Sequence, residues 1–310
     1  MAWARIAALW LTALCLAGCD LGVPTGAAPH PLAPPHPPAP PVGADPSAFT
    51  GFATLPSTGA VVLQGQGIAA PYVLDANGAV TVAAIPPSGA ARLILDRGGG
   101  QTRAMTLETG GLRSVIDTRN GGQMLRQGGM VRAADASGTS LALLADEGAN
   151  GYGYQTHGVW VTGYGTGSGQ VAVASVGALS PADAARAVLP LGGTASYAGQ
   201  STGVARDGAG TPYFTRSTVT VSTDFRSLGL TSSGTLATNA NSLAEAPMPQ
   251  LDFVASAQVA GSGFSGTVAG AGMTGALNGA FYGGMAEELG GVFSASGAGM
   301  AYAGAFGARR

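Results

Sequence analysis

The sequence predicts an all-β protein in two parts: a small β unit of handle or sandwich form over residues 48–149, and an eight-stranded antiparallel β-barrel over 150–310. Three observations predict this. Short runs rich in β-branched residues recur from residue 48 onward, each bounded by Gly, Asn, Asp or Pro. Beyond Gly151 the alternation lengthens, with Val219, Val221 and Phe225 on one parity and Thr218, Thr220 and Ser222 on the other. A period of two with one apolar face suits antiparallel strands around a core, and about eight such strands fit, enough to close a barrel and remove its edges.

The first residues direct the chain to an envelope. Arg5 precedes an apolar run from Ile6 to Leu16, followed by Ala17, Gly18 and Cys19. A positive start, a short apolar core and small residues before a cleavage point read as a secretory signal over 1–18. Leu16-Ala17-Gly18-Cys19 resembles a bacterial lipobox, in which the cysteine thiol takes a diacylglycerol thioether and becomes the first mature residue. Several acyl chains on one residue anchor lastingly, where a single chain binds marginally. An ordinary signal with a chance cysteine is the competing reading. With Cys15 removed and Cys19 acylated, the mature chain holds no thiol for disulfides or a cysteine-based zinc site.

Residues 19–47 form a Pro-rich tether, an extended spacer of about 3.1 Å per residue. Its His30 and His36 read as solvated linker residues rather than a metal site. Strand runs follow at Ala60–Gln64, Ala79–Ile85, Arg92–Asp96, Arg103–Glu108, Gly111–Asp117 and Ser140–Ala145. Asn77-Gly78 marks a tight hairpin, because a primed turn needs positive φ. Gly98-Gly99-Gly100 reads as a second hairpin loop. In the barrel region, Val159 and Val161 alternate with Trp160 and Thr162, and Leu251, Phe253, Ala255 and Ala257 with Asp252 and Ser256. One short helix is placed over Asp183–Leu189, with Ser180 as cap and Pro181 in its first turn.

Two segments carry a family resemblance. Pro190-Leu191-Gly192-Gly193-Thr194-Ala195-Ser196-Tyr197-Ala198-Gly199 resembles the P-x-x-G-x-A-x-Y-x-G strand opening of transferrin-binding protein B. Residues 281–293, FYGGMAEELGGVF, resemble that family's closing hairpin, F-Y-G-P-x-A-x-E-x-G-G-x-F. Phe281, Tyr282, Gly283, Ala286, Glu288, Gly290, Gly291 and Phe293 fall on its positions, and Gly284 departs from its proline. The resemblance covers about residues 150–310 and extends to 48–150 in general shape. It implies a binding lipoprotein of the outer membrane, exposed at the cell surface in many members. A Slam-type translocon or a TonB-type receptor would then be its partner in the envelope, and a protein or haem its ligand.

The paired acids Glu287 and Glu288 stand between Gly283-Gly284 and Gly290-Gly291. Neighbouring carboxylates seldom converge on one substrate, so a structural hairpin is expected, with Glu288 accepting hydrogen bonds from loop amides and Glu287 facing water. Tyr152, Tyr154, His157 and Trp160 are the candidate ligand-binding residues: Tyr and His can hold haem iron, and aromatic rings can cover a macrocycle. An aromatic strand start packed on the barrel is the other reading. No Cys-His pair and no G-x-S-x-G elbow are present, so no enzyme is expected, and no cofactor beyond the lipid on Cys19 and a haem ligand. A net charge of −2 gives no reason to expect nucleic acid. The expected function is a lipid-anchored binding protein. A structural envelope lipoprotein without a soluble ligand is the alternative, and a membrane-spanning barrel is a third.

Overall fold

The computed structural model describes residues 51–82, 84–177, 193–283 and 285–310, all within one compact unit, Asp45–Arg310. The signal, Cys19, the tether at 19–47, the helix expected over 183–189 and Gly284 lie outside the described residues.

The first sheet is built from β1 (Gly59–Leu74), β2 (Val80–Val82), β3 (Gly89–Gly98), β4 (Gln101–Thr109), β5 (Leu112–Asp117), β6 (Gln123–Gln127), β7 (Met130–Ala134), β8 (Leu141–Ala145), β9 (Gln155–Thr162) and β10 (Ser168–Gly177). Its order is β5-β4-β3-β1-β10-β9-β8-β7-β6, with β2 paired to β1. The Asn77-Gly78 turn joins β1 to β2, and Gly78 has φ 79°, the positive value that the dipeptide predicts. The one-turn helix α1 (Glu147–Asn150) links β8 to β9, and the Asp146 carboxylate caps it by accepting from the Gly148 and Ala149 amides.

This sheet corrects the expected domain boundary. Residues 155–177 do not open the barrel; as β9 and β10 they pair with β8 and β1 in the first sheet. Residues 155–161 and 172–177 are buried on both faces. Trp160, Ala172, Ala174 and Val176 join Leu63, Leu93, Leu107 and Ile116 in the handle's own core. Val159, Val161 and Val173 turn the other way, with Ile68 and Tyr72, onto Val292, Ala303 and Ala305 of the barrel. A strand between two cores loses the polar face that distinguishes a handle strand from a barrel strand, so alternation could not place the boundary.

The barrel comprises β11 (Ala195–Arg206), β12 (Pro212–Thr223), β13 (Ser227–Asn239), β15 (Phe253–Ala260), β16 (Gly263–Gly270), β17 (Met273–Tyr282), β18 (Glu288–Gly297) and β19 (Met300–Arg309), with a short β14 (Glu245–Pro247) paired to β13. Sequential hairpins run from β11 to β19, and pairing of β11 with β19 closes the ring of eight. The interior is apolar and aromatic. Tyr197, Val221, Leu230, Phe253, Phe264, Leu277, Phe281, Phe293, Tyr302 and Phe306 are buried there. Phe253 and Phe293 approach to 4.5 Å between ring centroids, and Phe293 meets Tyr302 edge-on at 4.9 Å. Glycines make room for these rings: a Cβ at Gly304 would overlap the Phe293 ring. The few interior hydroxyls bond to one another, with Ser217 bridging Ser201 and Ser232 at 2.6 Å each.

Candidate functional site

The chain enters the described body at one end of the barrel, beside the hairpin 283–287. The Phe52 amide donates to Gly153 O at 2.7 Å. The Tyr154 ring lies over both Gly51 and Gly283. Glu288, at the start of β18, points outward from the barrel to this same segment. Its carboxylate accepts from the amide of Gly153 and from those of Tyr154 and Gln155 at 3.2 and 3.1 Å. The residue is 4 % exposed. Burial raises its pKa, while the three amides and nearby Arg309 pull it down.

Glu288 is therefore a clasp, but not of its own loop. It ties the barrel to the strand that leads into the handle. The loop is closed by its neighbour: Glu287 Oε2 accepts from the Met285 amide at 2.9 Å. Glu288 thus accepts amide hydrogen bonds as expected, but from residues 153–155 rather than its own loop, and Glu287 closes the loop besides meeting water. Strand register fixes which of two adjacent residues faces outward, and the partner at that position comes from a distant part of the chain. Gly290 and Gly307 pair across β18 and β19 and leave a bare strip of backbone under Gln155 and Ser175. Gly283 keeps a positive φ of 84°, and Ala286 follows at 55°. The Tyr197 hydroxyl donates to Ala286 O at 2.7 Å, and Arg310 also donates to that carbonyl. The two segments singled out in the sequence thus touch.

The four aromatic candidates do not form one open pocket. Tyr152 is buried, with its hydroxyl donating to Gly307 O at 2.7 Å. His157 is fully buried in the seam between handle and barrel, edge-on to Tyr152 at 6.0 Å. Trp160 lies on the opposite face of β9, in the handle core. Tyr154 is half-buried over Gly283. The expectation that these side chains gather round a ligand is corrected: successive strand positions face opposite sides, and both sides are filled. Among the described residues no cluster of three or more His, Cys, Asp or Glu could hold a metal ion.

The other end of the body presents loops from both domains. The Val80 amide donates to Gly210 O at 2.6 Å, Asn241 Nδ2 donates to Gly78 O at 3.1 Å, and the Tyr164 hydroxyl donates to Ala240 O at 3.4 Å. Each loop is braced from within. Asp75 Oδ1 accepts from the Asn77 and Ala79 amides, Asp207 Oδ1 from those of Ala209 and Thr211, and Asn239 Oδ1 from those of Asn241 and Ser242. Exposed residues on this rim include Asp75, Asn77, Thr166, Ala209, Asn241 and Ser242. The sequence reading found the turn at Asn77-Gly78 but had no signal that would bring it beside 207–211 and 239–244.

The family described as C-lobe and N-lobe beta barrels of Tf-binding protein B matches residues 189–310. The C-terminal barrel is similar to the barrels of that family. Its match begins after β10, where the sheet pairing also places the boundary. Solved structures similar to this chain include transferrin-binding protein B from Haemophilus parasuis Hp5, at 12 % identity and TM-score 0.42, covering 80 % of this chain and 76 % of that one. The N-lobe domain of lactoferrin binding protein B of Moraxella bovis aligns at 14 % identity and TM-score 0.39, covering 79 % and 98 %. The haemoglobin receptor HpuA from Kingella denitrificans aligns at 14 % identity and TM-score 0.35, covering 83 % and 88 %. No curated protein matches the chain. Tyr197 and the 281–293 hairpin both fall within the matched residues, and they meet at Ala286.

Proposed function

We propose that this chain is a lipid-anchored binding protein of the outer membrane, displayed at the cell surface, that captures an iron-carrier protein on the rim opposite the end of the body where residue 51 lies. The observation that carries this reading is the division of the body into two ends. Residue 51, to which the tether leads, sits beside Gly153 and the 283–287 hairpin. The loops 75–79, 163–167, 207–211 and 239–244 sit at the other end, across barrel strands of 12–13 residues. At about 3.3 Å per residue along tilted strands, roughly 30 Å separates the two. A filled barrel interior leaves no room for a small ligand inside, so recognition falls to surface loops held by a rigid scaffold. Lipid on Cys19 supplies the anchor, and a Slam-type translocon would supply export.

Binding of immobilised haemoglobin and transferrin, measured by interferometry, tests the reading. Capture of one of them that is lost in a variant with 75–79 and 207–211 replaced by Gly-Ser turns, at unchanged melting temperature, is expected. Undiminished capture by that variant, or none by the wild-type chain, sinks it. Separately, Cys19→Ser is expected to abolish labelling by palmitate and release the chain from the membrane fraction.

A further inference from the structure

His157 is the one histidine among the described residues, and it is 0 % exposed. It lies on the face of β9 that meets the barrel, between Gln155 and Val159, and opposite Ser175 of β10. Gln155 and Ser175 are also 0 % exposed, and they abut the backbone strip at Gly290 and Gly307. Among the described residues neither ring nitrogen of His157 has a hydrogen-bond partner, and neither do the Gln155 carboxamide atoms or the Ser175 hydroxyl. This end of the seam is thus polar, buried and adjacent to the Glu288 clasp. The other end is sealed by Val159, Val161, Val173, Val292 and Ala305.

We propose that this end of the seam is a pH-sensitive latch: acidification protonates His157 and frees the 153–157 segment, with the handle strands behind it, from the barrel. The groups around His157 offer an imidazolium little. Tyr152, on the approach to β9, and Tyr282, on β17, are neutral phenols that burial holds above their ordinary range. Glu288 of β18 is the nearest carboxylate on the barrel side, and three amides already engage it. Arg309 of β19, beside Tyr152 and Glu288, is positively charged, and β10 contributes the Ser175 hydroxyl opposite His157. A charge forming here has no counter-ion, so it is stabilised by leaving the seam.

The direction follows from linkage. Burial lowers the His157 pKa from 6.5 to about 3. The open seam therefore binds a proton more readily than the closed one, and the stability of the closed state falls as pH drops below 6.5. Between pH 8 and pH 5 His157 by itself shifts the opening equilibrium by roughly thirtyfold. Glu288 acts in the opposite sense, because burial raises its carboxyl; its contribution is lost as pH rises from its ordinary 4.5.

Hydrogen exchange of the wild-type chain at pH 8 and pH 5, corrected for the chemical exchange rate, reads this directly. The expected result is an increase in opening of up to roughly thirtyfold, reduced by the opposing contribution of Glu288, at 153–157, 288–292 and 303–307, with none in β12 and β13. His157→Phe and His157→Gln, one apolar and one polar replacement, are both expected to remove the increase. An unchanged pH response in either variant that keeps the wild-type melt at pH 8 overturns the proposal. So does a wild-type increase of equal size in β12 and β13, which would mean global unfolding.

Discussion

Replacing Glu288 by alanine should be the most damaging single change at the end where the chain enters. The side chain is 4 % exposed, and its carboxylate accepts from three consecutive amides, those of Gly153, Tyr154 and Gln155. A stranded donor costs about 1–3 kcal/mol when buried. Only the Gln155 bond is fully buried, and those of Gly153 and Tyr154 are part-buried, so the sum of about 9 kcal/mol is an upper bound. Two effects reduce it. Water can enter the space left by the side chain, and the cost of burying the carboxylate, visible in its raised pKa, disappears with it. About 3–5 kcal/mol remains. At roughly 2–4 °C per kcal/mol for a body of this size, the melting temperature should fall by about 6–20 °C. Glu288→Gln keeps one acceptor oxygen but turns an amide NH2 toward the row of donors, so it should cost about half as much. Thermal melts followed by circular dichroism at pH 7, with urea midpoints as a check, give the order wild type, Glu288→Gln, Glu288→Ala. Melting of the alanine variant within about 1 °C of wild type would refute the clasp, and lost ligand binding at unchanged melting would make Glu288 a functional acid.

Three further changes separate the parts of the structure. Glu287→Ala removes one exposed acceptor for the Met285 amide and should cost no more than about 1 kcal/mol, which the same melts measure against Glu288→Ala. Phe293→Ala opens a cavity beside Phe253 and Tyr302 and should cost about 3–5 kcal/mol in urea titrations. Gly307→Val places a branched side chain where the Gln155 carboxamide lies, so it should force handle from barrel and speed exchange at 153–157, while β12 and β13 stay protected.

The barrel was legible because its strands carry one apolar face, as Val219 and Val221 do against Thr218 and Thr220. The hairpins at Asn77-Gly78 and Gly98–Gly100 were legible because positive φ restricts which residues serve. The boundary was not, since Val159 and Trp160 both enter apolar surroundings and a single alternating run cannot say that two different cores receive them. The clasp was half legible. Its chemistry, a carboxylate among glycines, showed in the sequence, but its partners lie more than 130 residues away, at Gly153 to Gln155. No local pattern encodes such a pairing. The distal rim was not legible for the same reason: turn residues announce each loop but not which loops meet.

The orientation of the barrel's two faces also decides between a water-borne body and a membrane-spanning one. A transmembrane barrel turns apolar residues to lipid and polar residues to its lumen. Here the order is reversed. Phe253, Phe264, Phe293, Tyr302 and Phe306 fill the interior, while Thr218, Thr220, Ser222, Thr231, Ser256 and Thr267 are exposed outside. One flank of that exterior, at Val292, Ala303 and Ala305, is covered by the handle and so unavailable to lipid. A bilayer would have to accept a wall of hydroxyls and strip the handle away, exposing the faces of β9 and β10 that are now buried. Residues 45–310 should therefore remain monodisperse without detergent and should not float with phosphatidylcholine vesicles on a density gradient. Detergent-dependent solubility, or flotation with the vesicles at neutral pH, would contradict the inside-to-outside pattern on which the surface-capture reading depends.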